Sequence, residues 1–221
     1  MMHITQGLIL YLLLIISLSL HEWAHGFVAY KLGDKTPLLF GRLTLNPLAH
    51  IDLVGTVIVP LSMLLLLPGF VLFGWAKPVP INPNYFKNSD LGEIFTGLAG
   101  PIMNLSIATI SAILGAICVK FFDMQIGPLF GLMMLVNIML CVFNMIPVPP
   151  LDGSHILRVL FRMSSLAFYN FSRYGFFILL VLINIPSFRN AILTVVLYLF
   201  NTLNGTICDI FVIPLDSLFP L

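Results

Sequence analysis

From residue 4 to residue 30 the chain carries a single charge, Glu22. About 20 predominantly apolar residues are enough to cross a bilayer, and a spanning segment must satisfy its own backbone, which a helix does. The lone acid sits in Leu18-Ser-Leu-His-Glu-Trp-Ala-His-Gly26, an H-E-x-x-H signature. At about 3.6 residues per turn, His21 and His25 stand on one helix face, where both imidazoles can reach one metal ion. Glu22 then flanks the place where a water activated by that ion would lie. Two core histidines that merely satisfy hydrogen bonds would share the spacing, but imidazoles and a carboxylate are expensive inside a bilayer. The pattern predicts a metal-dependent hydrolytic centre within a membrane helix.

The rest of the composition agrees. With 59% hydrophobic and 9% charged residues in 221, the chain reads as a polytopic membrane protein rather than a soluble domain. A net charge of +1 provides no polybasic surface, which argues against nucleic acid or strong anionic-lipid binding. Cys118, Cys141 and Cys208 lie in apolar segments without C-x-x-C spacing, so they read as small buried hydrophobes and leave the metal to nitrogen and oxygen ligands. The first apolar run has no preceding positive region and no small-residue cleavage site, which predicts a retained span rather than a signal peptide. The expected fold is all-α, a polytopic transmembrane helix bundle of about five to six membrane segments. A short irregular or stranded connection follows the first helix, and residues 1–221 form one membrane domain.

Gly33 and Asp34 close the first helix. Lys31 emerges six residues after His25, which puts the metal position roughly 9 Å below that surface. The connection over residues 34–52 ends in the polar run Asn46-Pro-Leu-Ala-His-Ile-Asp52, whose His50 and Asp52 either line the site entrance and orient a ligand or cap the next helix. Residues 53–76 are uncharged but interrupted by Pro60, Pro68 and Gly69, so they either span or re-enter. A proline-rich loop leads to a span over residues 94–119, entered through Gly97-x-x-Gly100-Pro101-x-x-Asn104. Its glycines read as helix packing, and Asn104 divides evenly between packing and support of the site. Lys120, Asp123 and Gly127 mark a turn before the apolar run 128–146. That run breaks at Asn144-Met-Ile-Pro-Val-Pro-Pro-Leu-Asp152-Gly153, where three prolines remove backbone donors. At membrane depth such a break is tolerated only where protein or a water-filled cavity satisfies the exposed groups. Residues 155–161 are expected to be helical, and 163–221 to hold two more spans on either side of Pro186-Ser-Phe-Arg189.

The ten cations separate two topologies. If residues 53–76 cross, Lys31, Lys35, Arg42, Lys120 and Arg189 face Lys77, Lys87, Arg158, Arg162 and Arg173 across the membrane, five to five. If the segment re-enters, only Lys120 and Arg189 remain opposite, a ratio of eight to two. The second arrangement predicts a dipping segment around residues 60–68, an N-terminus outside the cytoplasm and a metal site nearer the cytosolic face.

Catalytic zinc usually takes three protein ligands. Asp152 is the candidate third, because the other aspartates fall in connections or near the C-terminus, while an N-cap role for the helix from Gly153 remains compatible. Asn144 is the side-chain amide nearest in sequence for holding a developing oxyanion.

H-E-x-x-H in one span, G-P-x-x-N in a later one and N-x-x-P-x-P-P-L-D-G after that resemble the site-2 protease family of intramembrane zinc metalloproteases, over roughly residues 8–162. The likeness is to short members without a PDZ domain. It implies one zinc per chain held by His21, His25 and Asp152, Glu22 as general base, and Asn144 as a substrate or transition-state contact. It further implies transmembrane protein substrates cut within or near their helices, in the lipid bilayer of a prokaryotic cell membrane. Asn46, His50, Asp52 and Asn104 are further candidates for supporting the ligands or gating substrate. An ion transporter or channel would explain the intramembrane His, Glu and Asp but not their spacing. Against a catalytically inactive, helix-binding relative stands the intact Glu22. Oligomeric state has no signature in the sequence.

Overall fold

A computed structural model describes residues 4–66, 74–122 and 126–218. Pro68, Gly69 and Asp123 lie outside the described residues. The helices are α1 (Ile4–Lys31), α2 (Thr36–Leu39), α3 (Val59–Leu66), α4 (Ser89–Phe122), α5 (Gly127–Asn144), α6 (Gly153–Leu160), α7 (Ser165–Asn184) and α8 (Pro186–Phe211). Five of them, α1, α4, α5, α7 and α8, are long and apolar enough to cross a membrane. Among the described residues there is no strand, so the connection after α1 is irregular, not stranded: it holds the single turn α2 and a 3-10 turn at Pro47–His50. The backbone forms two compact units, Met1–Gly100 and Pro101–Leu221.

In the first unit, α1 stops where expected. Gly33 adopts φ +111°, a conformation that favours glycine, and the Asp34 amide reaches back to the Ala29 carbonyl. Within α1 the hydroxyls of Ser17 and Ser19 donate to the carbonyls of Leu13 and Ile15. Asp52 caps the next segment, its Oδ1 accepting from the amides of Val54 (3.0 Å) and Gly55 (2.7 Å). A six-residue π turn, Leu53–Ile58, runs into the eight residues of α3. The chain then comes back to its starting level: the Trp75 amide donates to the Gly55 carbonyl (3.1 Å), and Thr56 Oγ1 donates to the Trp75 carbonyl (2.8 Å). Tyr11 of α1 donates to the Thr56 carbonyl at 2.9 Å. At about 1.5 Å per residue the helical stretch is roughly 20 Å long, short of a hydrocarbon core of about 30 Å. Its exit lies beside its own start, which is the arrangement a re-entrant segment requires. Gly55 permits the closure, since a Cβ there would lie 2.3 Å from the Trp75 indole.

Helix α4 begins earlier than the expected residue 94. Asn88 Oδ1 accepts from the Leu91 amide at 3.0 Å and starts the helix at Ser89, which places Glu93 inside it and buried. The second unit takes over within this helix at Pro101. Ala108, Ala112 and Ala116, one turn apart, are fully buried against Met134 and Ile138 of α5 and Val196, Phe200 and Ile207 of α8. Small side chains at that spacing let helices approach closely. A second cluster joins Ile146, Val148 and Leu151 of the proline-rich break to Leu179 of α7. Pro186 takes the first turn of α8, where its missing donor costs nothing, and divides the last two spans as expected.

Candidate metal centre

His21 and His25 project from consecutive turns of α1 and are both buried. Their Nε2 atoms lie 3.0 Å apart, with the rings edge to face. His25 Nδ1 is 2.6 Å from the carbonyl of Thr96 on α4. A carbonyl only accepts, so Nδ1 carries the hydrogen and Nε2 presents its lone pair, the orientation typical of a ligating histidine. Bonds of about 2.0–2.1 Å to one ion in tetrahedral array separate two nitrogens by about 3.3 Å. The pair therefore suits a shared ion.

The wall behind these imidazoles is backbone. A Cβ on Gly100 would lie 2.3 Å from His21 Cε1 and 2.4 Å from His25 Nε2, so α4 lies flush on both rings and only glycine fits. The Thr96 hydroxyl turns away to the Gly92 carbonyl at 2.7 Å. Glu22, half-buried next to His21 on α1, accepts a hydrogen bond at Oε2 from the Val79 amide, 2.8 Å away. Sequence reasoning assigned Gly100 to helix packing and passed over Thr96 and Val79. For Gly100 the Gly-Pro pair was a visible signal. Thr96 and Val79 act through backbone atoms, which residue identity does not announce, although Val79 is the lone donor between Pro78 and Pro80.

The other candidates are arranged as follows. Asp52 caps the segment that leads into α3, the capping alternative, and Asn46 Oδ1 accepts from the Leu48 amide at 3.1 Å. His50 is buried with Nε2 2.9 Å from the Thr44 carbonyl, while its own carbonyl accepts from the Lys77 amide. Asn104, Asn144 and Asp152 belong to the second unit. Asn104 is fully buried on α4, and Asn144 ends α5 with Nδ2 donating to the Leu140 carbonyl at 3.0 Å. Asp152 precedes α6 with helical backbone angles and makes no capping bond. Its loop is held by the buried side chains of Ile146, Val148 and Leu151 and by a close fold-back at Gly153, where a Cβ would meet the Met145 carbonyl oxygen at 2.4 Å.

Comparison with known proteins decides the family. Residues 116–183 match the model of Peptidase family M50. Over 181 residues, 78% of each chain, the sequence is 38% identical to the candidate zinc metalloprotease YwhC of Bacillus subtilis (strain 168). The chain belongs to peptidase family M50, the site-2 proteases. It is also 29% identical over 190 residues to the candidate zinc metalloprotease Rip2 of Mycobacterium tuberculosis (strain H37Rv), covering 85% of this chain and 71% of that one. Zinc metalloprotease MJ0392 of Methanocaldococcus jannaschii is 30% identical over 154 residues, 69% of this chain and 34% of that one. No solved structure matches the chain. As an M50 peptidase with five apolar helices of spanning length, it is an integral membrane metalloprotease of the zinc-dependent class. The transporter reading has no support from these relatives.

Proposed function

We propose that this M50 peptidase is an intramembrane endopeptidase that hydrolyses peptide bonds within or near the transmembrane helices of membrane-protein substrates. The observation that carries the reading is the buried pair of Nε2 atoms 3.0 Å apart, with His25 Nδ1 fixed on the Thr96 carbonyl and Glu22 next to His21 on a helix of spanning length. His21, His25 and Asp152 would hold one zinc per chain. When bound, the metal supplies Lewis-acid activation of water and of the scissile carbonyl. Glu22 accepts the proton of the attacking water and returns it to the leaving amine. The Asn144 side-chain amide steadies the developing oxyanion. In a prokaryotic cell membrane, with residues 53–76 re-entering, the cations divide eight to two, which places the N-terminus outside the cytoplasm and the zinc nearer the cytosolic face. Residues 1–221 act as one domain, its catalytic core at roughly 8–162.

The test is Glu22→Gln in purified protein with a model transmembrane peptide. The amide cannot take the proton, so cleavage is lost, while zinc content by elemental analysis stays at the wild-type level. Retained cleavage would remove Glu22 from the mechanism.

A further inference from the structure

We propose that residues 75–82 form a positioning strap that fixes the carboxylate of Glu22, and that Arg42 and Asp34 hold this strap in place. The inference rests on the reading of Glu22 as the proton acceptor.

A backbone account of the segment motivates it. Lys77 donates its amide to the His50 carbonyl (2.9 Å) and its carbonyl accepts from Arg42 Nη2. Val79 donates to Glu22 Oε2 (2.8 Å), and Asn82 donates to Asp34 Oδ2 (2.7 Å). Trp75 begins the series on Gly55 and Thr56. Residues 75, 77 and 79 thus turn their polar backbone groups toward Glu22 of α1 and toward residues 42–56. No neighbouring strand among the described residues supplies a ladder. Isolated carbonyls and individual side chains do that work instead, so the position of the segment depends on those few groups.

Two of them are charged and out of water. Asp34 is fully buried; its Oδ1 accepts from the Thr36 amide at 2.9 Å while Oδ2 holds Asn82. Arg42 is 8% exposed, and its Nη2 donates to a neutral carbonyl of the strap, that of Lys77. Ionic side chains in such surroundings need specific partners to be tolerated. They grip the strap on either side of Val79. Between the grips, Pro78 and Pro80 have no amide hydrogen and restrict the residues before them to extended conformations. Val79 is then the one donor in a stiff tripeptide, and it meets the carboxylate. With Oε2 held, Glu22 keeps its other oxygen in a defined direction, as a general base within hydrogen-bond reach of water requires. Val79, Arg42 and Asp34 are positioning residues, acting through Glu22 or through the strap.

The test has a kinetic arm and a geometric arm. Misplacement of a reacting group by about 1 Å can cost on the order of 100-fold in rate. Val79→Pro, which removes the donor, is expected to fall at least about tenfold in kcat below Val79→Ala, which keeps it. Asp34→Asn and Arg42→Met should lower kcat comparably with KM within about twofold and unchanged zinc content, and Arg42→Lys should recover part of the loss. For geometry, a Cβ on Gly26 lies 3.3 Å from Val79 Cγ1, so cysteines at 26 and 79 are placed to form a disulfide. In a background lacking Cys118, Cys141 and Cys208, that cross-link should form readily and drop severalfold when Asp34→Asn or Arg42→Met is added. Equal kcat for Val79→Pro and Val79→Ala would overturn the proposal. So would zinc loss in parallel with activity, or an unaltered cross-link in both holding variants. If Arg42→Met fails to fold, Asp34→Asn and the Val79 pair decide. Cleavage by Glu22→Gln would instead defeat the functional reading, and the cross-link would still report the strap.

Discussion

At residue 100 one hydrogen atom separates a working wall from a collision. The Cβ of Gly100→Ala would fall within 2.6 Å of three imidazole atoms on His21 and His25. Those rings are anchored on a 28-residue helix, so they must rotate rather than retreat. Disturbing the orientation of a ligating histidine typically costs about 10–100-fold in metal affinity. Gly100→Ala is therefore expected to weaken zinc binding by roughly that factor in competition with a chelator, with helical content unchanged. Asp152→Ala should lower zinc stoichiometry in folded protein; full occupancy would exclude it as the third ligand. His21, Glu22 and His25 stand out in the sequence because the proposed chemistry needs particular side chains at a particular spacing. Thr96 and Val79 stayed hidden because a carbonyl or an amide can come from almost any residue, and only the fold says which one arrives. The reading of Asp152 as a cap was reasonable from Asp-Gly before a helix, yet the structure gives it no capping bond.

Among elements, the proline-broken run that holds α3 shows how a sequence can leave two paths open. Hydropathy alone allowed residues 53–76 to cross; the charge count favoured a return. The hydrogen bonds from Trp75 to Gly55 and from Thr56 to Trp75 supply the physical reason, a closure that only a glycine opposite an indole permits. Cysteines at positions 31, 87 and 162 should then all react with an impermeant reagent from the cytoplasmic side. Labelling of 87 and 162 from the opposite side would rule out the orientation proposed above. Helix α4 starts ahead of the apolar span expected over residues 94–119, because the Asn88 cap begins it at Ser89 and carries Glu93, buried, into its first turns. The boundary at Pro186 was legible because proline can act there only as a start.

For the whole molecule, composition already dictated a bundle of apolar helices, and five helices of spanning length are present. Composition could not say how its helices would divide into two compact units or where the alanine-lined packing of α4 would lie. The short re-entrant helix also has a consequence for the surrounding lipid. Its roughly 20 Å of helix leaves a deficit against a hydrocarbon layer of about 30 Å. Because such an element returns to the side it entered from, it escapes the mismatch cost that falls on a spanning segment, and host-membrane thickness sets only how much hydrocarbon lies beyond its tip. Reconstituted in short-chain phosphatidylcholine, the protein should cleave faster than in long-chain phosphatidylcholine at equal protein density, and an identical rate in both would disconnect activity from that deficit. In the thinner bilayer less hydrocarbon lies beyond the tip of this segment, and bulk water has a shorter distance to travel.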